Sequence, residues 1–253
     1  MTGLVTVHRH GGVGVLTLNA PRRRNILSAE MVADIGLAMD DLEADPDVRC
    51  LVVTGAGSAF CAGAELATLS AAADGDFGPV EYVYQGFLRV LRSPLPSIAA
   101  VHGPAVGAGC NLALACDLRL AGPAAVFDTR FAELRIHPGG GHAWLLARAV
   151  GRQQATLACL FGEVWGAAAA LRVGLVAAVT DDPVADALAF GHRLDRQEPA
   201  YVRTLTATLR DALTTPDHTT ALAAETVAQR WSTTRPAFRE GVRAIELRIS
   251  RQS

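Results

Sequence analysis

No stretch of the 253-residue chain approaches the roughly eighteen continuous apolar residues that a membrane-spanning helix requires. The segment from Met1 to His10 is also too polar for the apolar part of a secretory signal, so a cytoplasmic location and no membrane partner are expected. Positive charge is not in surplus. The formal net charge is −2, with 23 cationic side chains against 25 anionic ones, and no extended arginine block marks a surface for nucleic acid. Lysine is absent, a skew that, with the abundance of alanine, reflects genome composition rather than function. Cysteines are few and odd in number. Cys50, Cys61, Cys110, Cys116 and Cys159 form no CxxC pair, and none sits at zinc-ligand spacing with a histidine, so they read as buried free thiols and no metal is expected.

What is present is apolar mass. Half of the residues are hydrophobic and 19% are charged, enough for one large domain, or a core with an appendage. Val5 to His8 and Val13 to Leu18 read as strands of a hairpin turned at Gly11-Gly12. Ser28 reads as the N-cap of a helix to about Glu43, with Met31, Ile35, Met39 and Leu42 on one face. Leu51 to Thr54 and Ile98 to Val101 are short buried strands, each running into glycine. Between them lie a weakly patterned connection, Leu69 to Phe77, expected to be mobile, and a helix from about Val80 to Leu91. A helix from Gly109 follows, then strands at Leu118 to Leu120 and Ala125 to Phe127. Trp144 to Ala149, Gln153 to Leu160, Ala167 to Leu171 and Val184 to Leu194 are helical by period, with Leu175 to Val179 as the last strand. After about Pro199 only helical patterning remains, in three segments divided by Pro216 and Pro236.

Two glycine-bearing segments carry the chemistry. Phe60 to Leu66 and His102 to Asn111 each follow a buried strand, and together they read as two halves of one oxyanion hole, which points to thioester chemistry. A backbone N–H aimed at developing negative charge is a strong catalytic device and demands geometry rather than a particular side chain. Small residues let the chain approach a substrate closely, and Gly63 and Gly107 can take conformations closed to other residues. The second segment also opens a helix, whose N-terminal N–H groups favour an anion.

At this point the chain resembles the crotonase superfamily, the enoyl-CoA hydratases and isomerases, over nearly its whole length. The resemblance rests on Leu18-Asn19-Ala20-Pro21 with Arg24-Asn25, Val53 to Gly57 running into Phe60 to Leu66, and Pro96 to Val101 running into Gly103 to Asn111. It continues through Leu112 to Leu118, Pro138-Gly139-Gly140-Gly141, Gly174-Leu175-Val176 and Glu240-Gly241. It implies an α/β fold with a core of repeated ββα units (residues 1–197) and a helical C-terminal region (198–253) used to build a homotrimer or a dimer of trimers. It further implies an acyl-CoA thioester as substrate, no separate cofactor, and a place in fatty acid metabolism. By position, the oxyanion donors are the N–H groups of Ala64 and Ala108. CoA falls near Ala62, Glu65, Leu66 and Ala67, with Arg24 as the cation for its phosphates.

The resemblance also says where this chain departs. The two glutamate positions of family hydratases hold Asn111 and Phe131, and the acid position that other members use near the third glycine motif holds Pro138-Gly139. Asn can orient a water but cannot take its proton, and a positioned acid or base contributes about 10²- to 10⁴-fold. Phe131 makes a drier pocket that favours binding over water chemistry. Four substitutes stand nearby. Glu133 either turns inward by a local change of register or is a solvated carboxylate. Asp128 either reaches the pocket or serves a turn. His137 is either a base near neutral pH or a surface or structural histidine. His142 opens a helix. Asn111 itself either faces the acyl group or bonds the helix start, whereas Glu65 and Asp117 read as structural. The expected function is an enoyl-CoA hydratase/isomerase family enzyme that stabilises a thioester enolate, with its proton carrier unassigned. Two alternatives stand beside it: an acyl-CoA binding protein without turnover, or an enolate reaction other than hydration, such as isomerisation or decarboxylation.

Overall fold

The computed structural model describes residues 3–250. The chain opens with the antiparallel hairpin β1 (Val5–His10) and β2 (Val13–Leu18), Val5 opposite Leu18. Ser28 caps α1 (Ala29–Ala44) by accepting from the Met31 N–H at 3.3 Å, and Met31, Ile35, Met39 and Leu42 are fully buried, as their spacing predicts. There follow β3 (Cys50–Gly55), α2 (Leu66–Ala73), α3 (Gly78–Leu91), β4 (Ser97–Val101), β5 (Pro104–Val106) and α4 (Ala108–Ala115). Next come β6 (Leu118–Ala121), β7 (Val126–Asp128), α5 (Phe131–Leu134), α6 (His142–Phe161), β8 (Trp165–Gly166), α7 (Ala167–Arg172), β9 (Ala178–Val179) and α8 (Pro183–His192). The chain closes with α9 (Pro199–Ala212), α10 (His218–Thr233) and α11 (Pro236–Ser250). Residues 251–253 of the C-terminal region lie outside the described residues.

The strands form a six-stranded sheet in the order β1-β2-β3-β4-β6-β9 and a three-stranded sheet in the order β5-β7-β8. From β2 onward the larger sheet is parallel. Its central strands are covered on both faces, which is why they read as continuous apolar runs. Side chains alternate across a strand: Cys50 and Val52 of β3 pack with Ala187 of α8, while Leu51 and Val53 join the main core with α1 and α3. The repeat unit is a strand in each sheet followed by a helix. β4, β5 and α4 make one such unit; β6, β7 and α5 make another. In the unit begun by β3, a single residue, Cys61, stands in for the second strand by bridging to Ala105 of β5.

Several elements differ from their sequence reading. The connection after residue 66 is not irregular: Leu66 to Ala73 forms α2, because alanine and leucine are strong helix formers even where their pattern is weak. The last strand is only Ala178–Val179, since Leu175 and Val176 complete the turn after α7 and bond back to Ala170. The strand expected at Ala125 to Phe127 spans Val126–Asp128. β5, β8 and α5 are too short for any periodicity to mark them. Gly151, at φ 76° and ψ 163°, breaks α6 where two helices were expected. Among the described residues, no helix is long and apolar enough to cross a membrane.

The C-terminal helices are joined to the sheet mainly through α9. Val202 and Thr206 are buried, and Arg210 grips the Asp117 carboxylate at 2.6 and 2.7 Å while donating to the carbonyls of Ser93 and Leu95. Asp117 is thus structural, as expected; it also accepts from the Ser97 N–H and hydroxyl. Arg210→Met should lower stability by about 1–3 kcal/mol, the worth of hydrogen bonds to charged groups, read as a lower urea midpoint. An unchanged midpoint would mean that α9 docks by its apolar face alone.

Candidate active site

The two glycine segments lie side by side. The Cys61 N–H donates to the Pro104 carbonyl at 3.1 Å, and the Val106 N–H donates to the Cys61 carbonyl at 2.9 Å. On the other flank the Leu27 N–H donates to the Gly63 carbonyl at 2.8 Å and the Ala62 N–H to the Arg24 carbonyl at 2.9 Å. Gly63 has φ 96° and Gly107 has φ 53° with ψ −114°. Such angles are open to glycine without strain, and each sets the direction of the next N–H, that of Ala64 or Ala108. Ala64 sits in a parallel bridge with Leu27 in which the Gly63 carbonyl makes the bond, so its own N–H faces away from that neighbour. Ala108 is the first residue of α4, where helix N–H groups have no internal acceptor. Among the described residues, no backbone carbonyl accepts from either group.

Both groups line one cavity of about 1010 Å³. Its walls include Ala62, Gly63, Glu65 and Leu66 from the first segment with Ala67 just beyond it, Gly107 and Asn111 from the second, Phe131 and Glu133 from α5, and Arg24 and His137 from the neighbouring loops. The sequence-derived residues are therefore brought together with two exceptions, Asp128 and His142, the latter buried behind Asn111. Asp128 is not on the wall. Its carboxylate is 2.5 Å from the Arg130 guanidinium and accepts the Arg130 N–H at 2.8 Å, serving the tight turn into α5 where Arg130 itself has φ 61°. Glu133 stands at the rim, with its side chain 71% exposed and 3.1 Å from Arg130, rather than turned inward. His137 is exposed, and its Nδ1 lies 2.8 Å from the Pro138 carbonyl. Glu65 pairs with Arg23. Cys61 and Cys110, although they belong to the glycine segments, are pushed up to about 12 by burial and are not thiolates at neutral pH.

Three residues escaped the sequence reading. Asn25, fully buried and in the left-handed region at φ 56°, accepts the Ala20 N–H and donates to the carbonyls of Ala56 and Ala59, tying the first loop to the strand end behind the cavity. Asparagine's tolerance of that conformation was the available signal. Tyr84 and Phe77 close the apolar side of the cavity from α3 and its N-cap. The innermost polar contact joins Asn111 to His142, at 2.5 Å between Oδ1 and Nδ1. Burial lowers His142 to about 4, and its ring meets the edge of Phe131 with centroids 4.9 Å apart.

Residues 8–250 match the family model described as enoyl-CoA hydratase/isomerase. The chain belongs to this family. It is 52% identical over 186 residues to a probable enoyl-CoA hydratase, EchA14, of Mycobacterium tuberculosis, covering 73% of this chain and 72% of that protein. It is 35% identical over 258 residues to the 1,2-epoxyphenylacetyl-CoA isomerase of Escherichia coli, covering 100% and 98%. In three dimensions it superposes on a crystal structure of an enoyl-CoA hydratase from Bacillus anthracis with a TM-score of 0.90 at 27% identity, over 97% of this chain and 96% of that one. The fold is thus the crotonase fold, as the resemblance implied.

Two predictions follow from this geometry. A Cβ on Gly109 would lie 2.1 Å from the Cys61 carbonyl oxygen, so Gly109→Ala should force the two segments apart and destabilise the protein by about 3 kcal/mol or more, the upper range for overpacking. Gly166→Ala, which meets nothing within 4 Å, should stay within about 0.5 kcal/mol of the parent in the same denaturant titration. The second concerns pH. Because burial holds the His142 imidazole at about 4 in the folded state, against the ordinary 6.5 of a histidine in water, the unfolded chain binds more protons between those values. The stability is fully present above pH 6.5 and is lost as pH falls towards 4, by at most about 3 kcal/mol. His142→Phe should flatten that part of the stability profile.

Proposed function

We propose that this protein binds an acyl-CoA thioester with the carbonyl oxygen between the N–H groups of Ala64 and Ala108, and that these donors stabilise the enolate formed from it. The observation that carries the reading is that two backbone N–H groups with no acceptor among the described residues line the same cavity, each directed by a glycine at positive φ. Losing one such donor typically costs 10²- to 10³-fold. The CoA portion is assigned to Arg24, Ala62, Glu65, Leu66 and Ala67. In support, of the two arginines of that loop on the cavity wall, Arg23 is paired with Glu65, while among the described residues no carboxylate is paired with Arg24.

Water addition is not the favoured reaction. Asn111 and Phe131 carry no acid, and the carboxylates on the cavity wall, Glu65 and Glu133, each face an arginine. The reading is an enolate reaction that relocates a proton or a double bond, with His137 or Glu133 at the rim as the proton carrier. The name of the E. coli relative, an isomerase of an acyl-CoA, supports that class. The engagement of every wall carboxylate favours a second reading, an acyl-CoA binding protein without turnover.

Calorimetric binding and turnover on a panel of 2-enoyl- and 3-enoyl-CoA thioesters separate the two. The expected result is binding throughout, with interconversion of the enoyl isomers exceeding hydration. Binding without any turnover selects the second reading, and no binding removes both. Ala64→Pro deletes one N–H and should lower turnover about 10²- to 10³-fold in a folded protein.

We also propose that residues 198–253 build a homotrimer or a dimer of trimers. In support, α10 and α11 bury no side chain within their own chain, and Leu222, Val227, Phe238, Val242 and Leu247 are exposed, apolar groups that a partner subunit would cover. Sedimentation should give three or six copies. A monomer would refute this assignment.

A further inference from the structure

The pair Asn111 and His142 has a single consistent hydrogen-bonding arrangement. The Gly139 carbonyl can only accept, so the atom of Asn111 lying 3.3 Å from it is the amide nitrogen. The Asn111 oxygen then faces His142 and must receive a hydrogen, which places the proton of the neutral imidazole on Nδ1. His142 is 0% exposed, and its Nε2 has no partner among the described residues. A proton on Nε2 would be a buried donor without an acceptor, so the bare nitrogen is the cheaper state. Gly139 and His142 together prevent the amide from flipping. Asn111 has two amide hydrogens; one goes to Gly139, and the other has no partner among the described residues.

Asn111 is three residues after Ala108 on α4, hence on the same face and roughly 4.5 Å further along the axis at 1.5 Å per residue. It lies on the cavity wall. A thioester oxygen at the Ala108 N–H therefore brings the first carbons of the acyl chain beside the Asn111 amide. Resting on the acyl-CoA reading above, we propose that the free N–H of Asn111, held in place by His142, is a specificity-determining donor that selects acyl groups carrying an oxygen acceptor on the β carbon. His142 is a positioning residue in this arrangement. It touches Asn111, not the substrate. The wall that could have accepted a proton instead gives a hydrogen bond, and Phe131 across from it offers nothing that competes for that bond.

The test compares acetoacetyl-CoA, which has an oxygen on its β carbon, with butyryl-CoA, which has the same chain length and none, by calorimetry on the full chain. The parent protein should bind the first about three- to tenfold tighter, the net worth of one neutral hydrogen bond. Asn111→Leu should bring the ratio to about one. His142→Phe, which keeps an aromatic ring but lacks Nδ1–H, should reduce the ratio while butyryl-CoA still binds. Independently of any variant, long-range ¹H–¹⁵N spectra should show one histidine fixed as the Nδ1–H tautomer, its signal lost in His142→Phe. Equal binding of the two esters by the parent, a preference unchanged in Asn111→Leu, or an Nε2–H tautomer at His142 would each overturn the proposal while leaving the acyl-CoA reading intact. Failure of the parent to bind either ester would overturn both.

Discussion

The site depends on one short backbone pairing, that of Cys61 with Ala105. Two hydrogen bonds hold it, and Gly109 lies so close beneath the Cys61 carbonyl that no side chain fits between. This contact fixes how far apart the two glycine segments can be. It therefore fixes the separation of the N–H groups that follow Gly63 and Gly107. The other supports act on this pairing from outside. Asn25 anchors the loop before it, the bridge from Leu27 to Ala64 holds its far edge, and α4 begins where the second segment ends. Backbone donors placed this way cannot rotate as side chains do, so they need no reorganisation when charge develops opposite them.

Around that rigid centre the charges are arranged from the rim inward. At the mouth Glu65 is paired with Arg23 and Glu133 with Arg130, whose guanidinium also holds the buried Asp128 behind the wall. Deeper in, polarity is carried by neutral groups: peptide N–H, the Asn111 amide and an uncharged imidazole. A buried carboxylate would need a cation or several donors beside it to remain ionised. None of the described contacts of Asn111 is of that kind. The asparagine is thus consistent with its surroundings, where a glutamate would meet the Gly139 carbonyl with an acceptor of its own.

Much of this was legible in the sequence. The hairpin, the amphipathic α1 and the buried strands before both glycine segments follow from period and composition, and the order of motifs identified the family. Ala64 and Ala108 were placed by the resemblance and Asn111 had two readings; all three line one cavity. What was not legible depends on contacts between distant residues. Nothing near His142 says that it will meet Asn111, 31 positions earlier, whereas the turn that Asp128 serves with Arg130 is local and was one of the two roles expected of it. The helix α2 was missed for a different reason: its alanines give it propensity without a face. Strands of two or three residues, such as β5 and β8, are defined by their partners and have no pattern of their own.

The bond between Arg210 and Asp117 closes a gap of 93 residues. During synthesis at about 5–20 residues per second, Asp117 and the carbonyls of Ser93 and Leu95 stand without their arginine for roughly 5–20 seconds. The hairpin, the central strands and the paired glycine segments have all emerged by then. Every residue of the cavity wall is therefore synthesised before the helices that fasten the outside. A chain stopped before residue 210 would carry the whole wall and lack the arginine that latches α9 to the sheet.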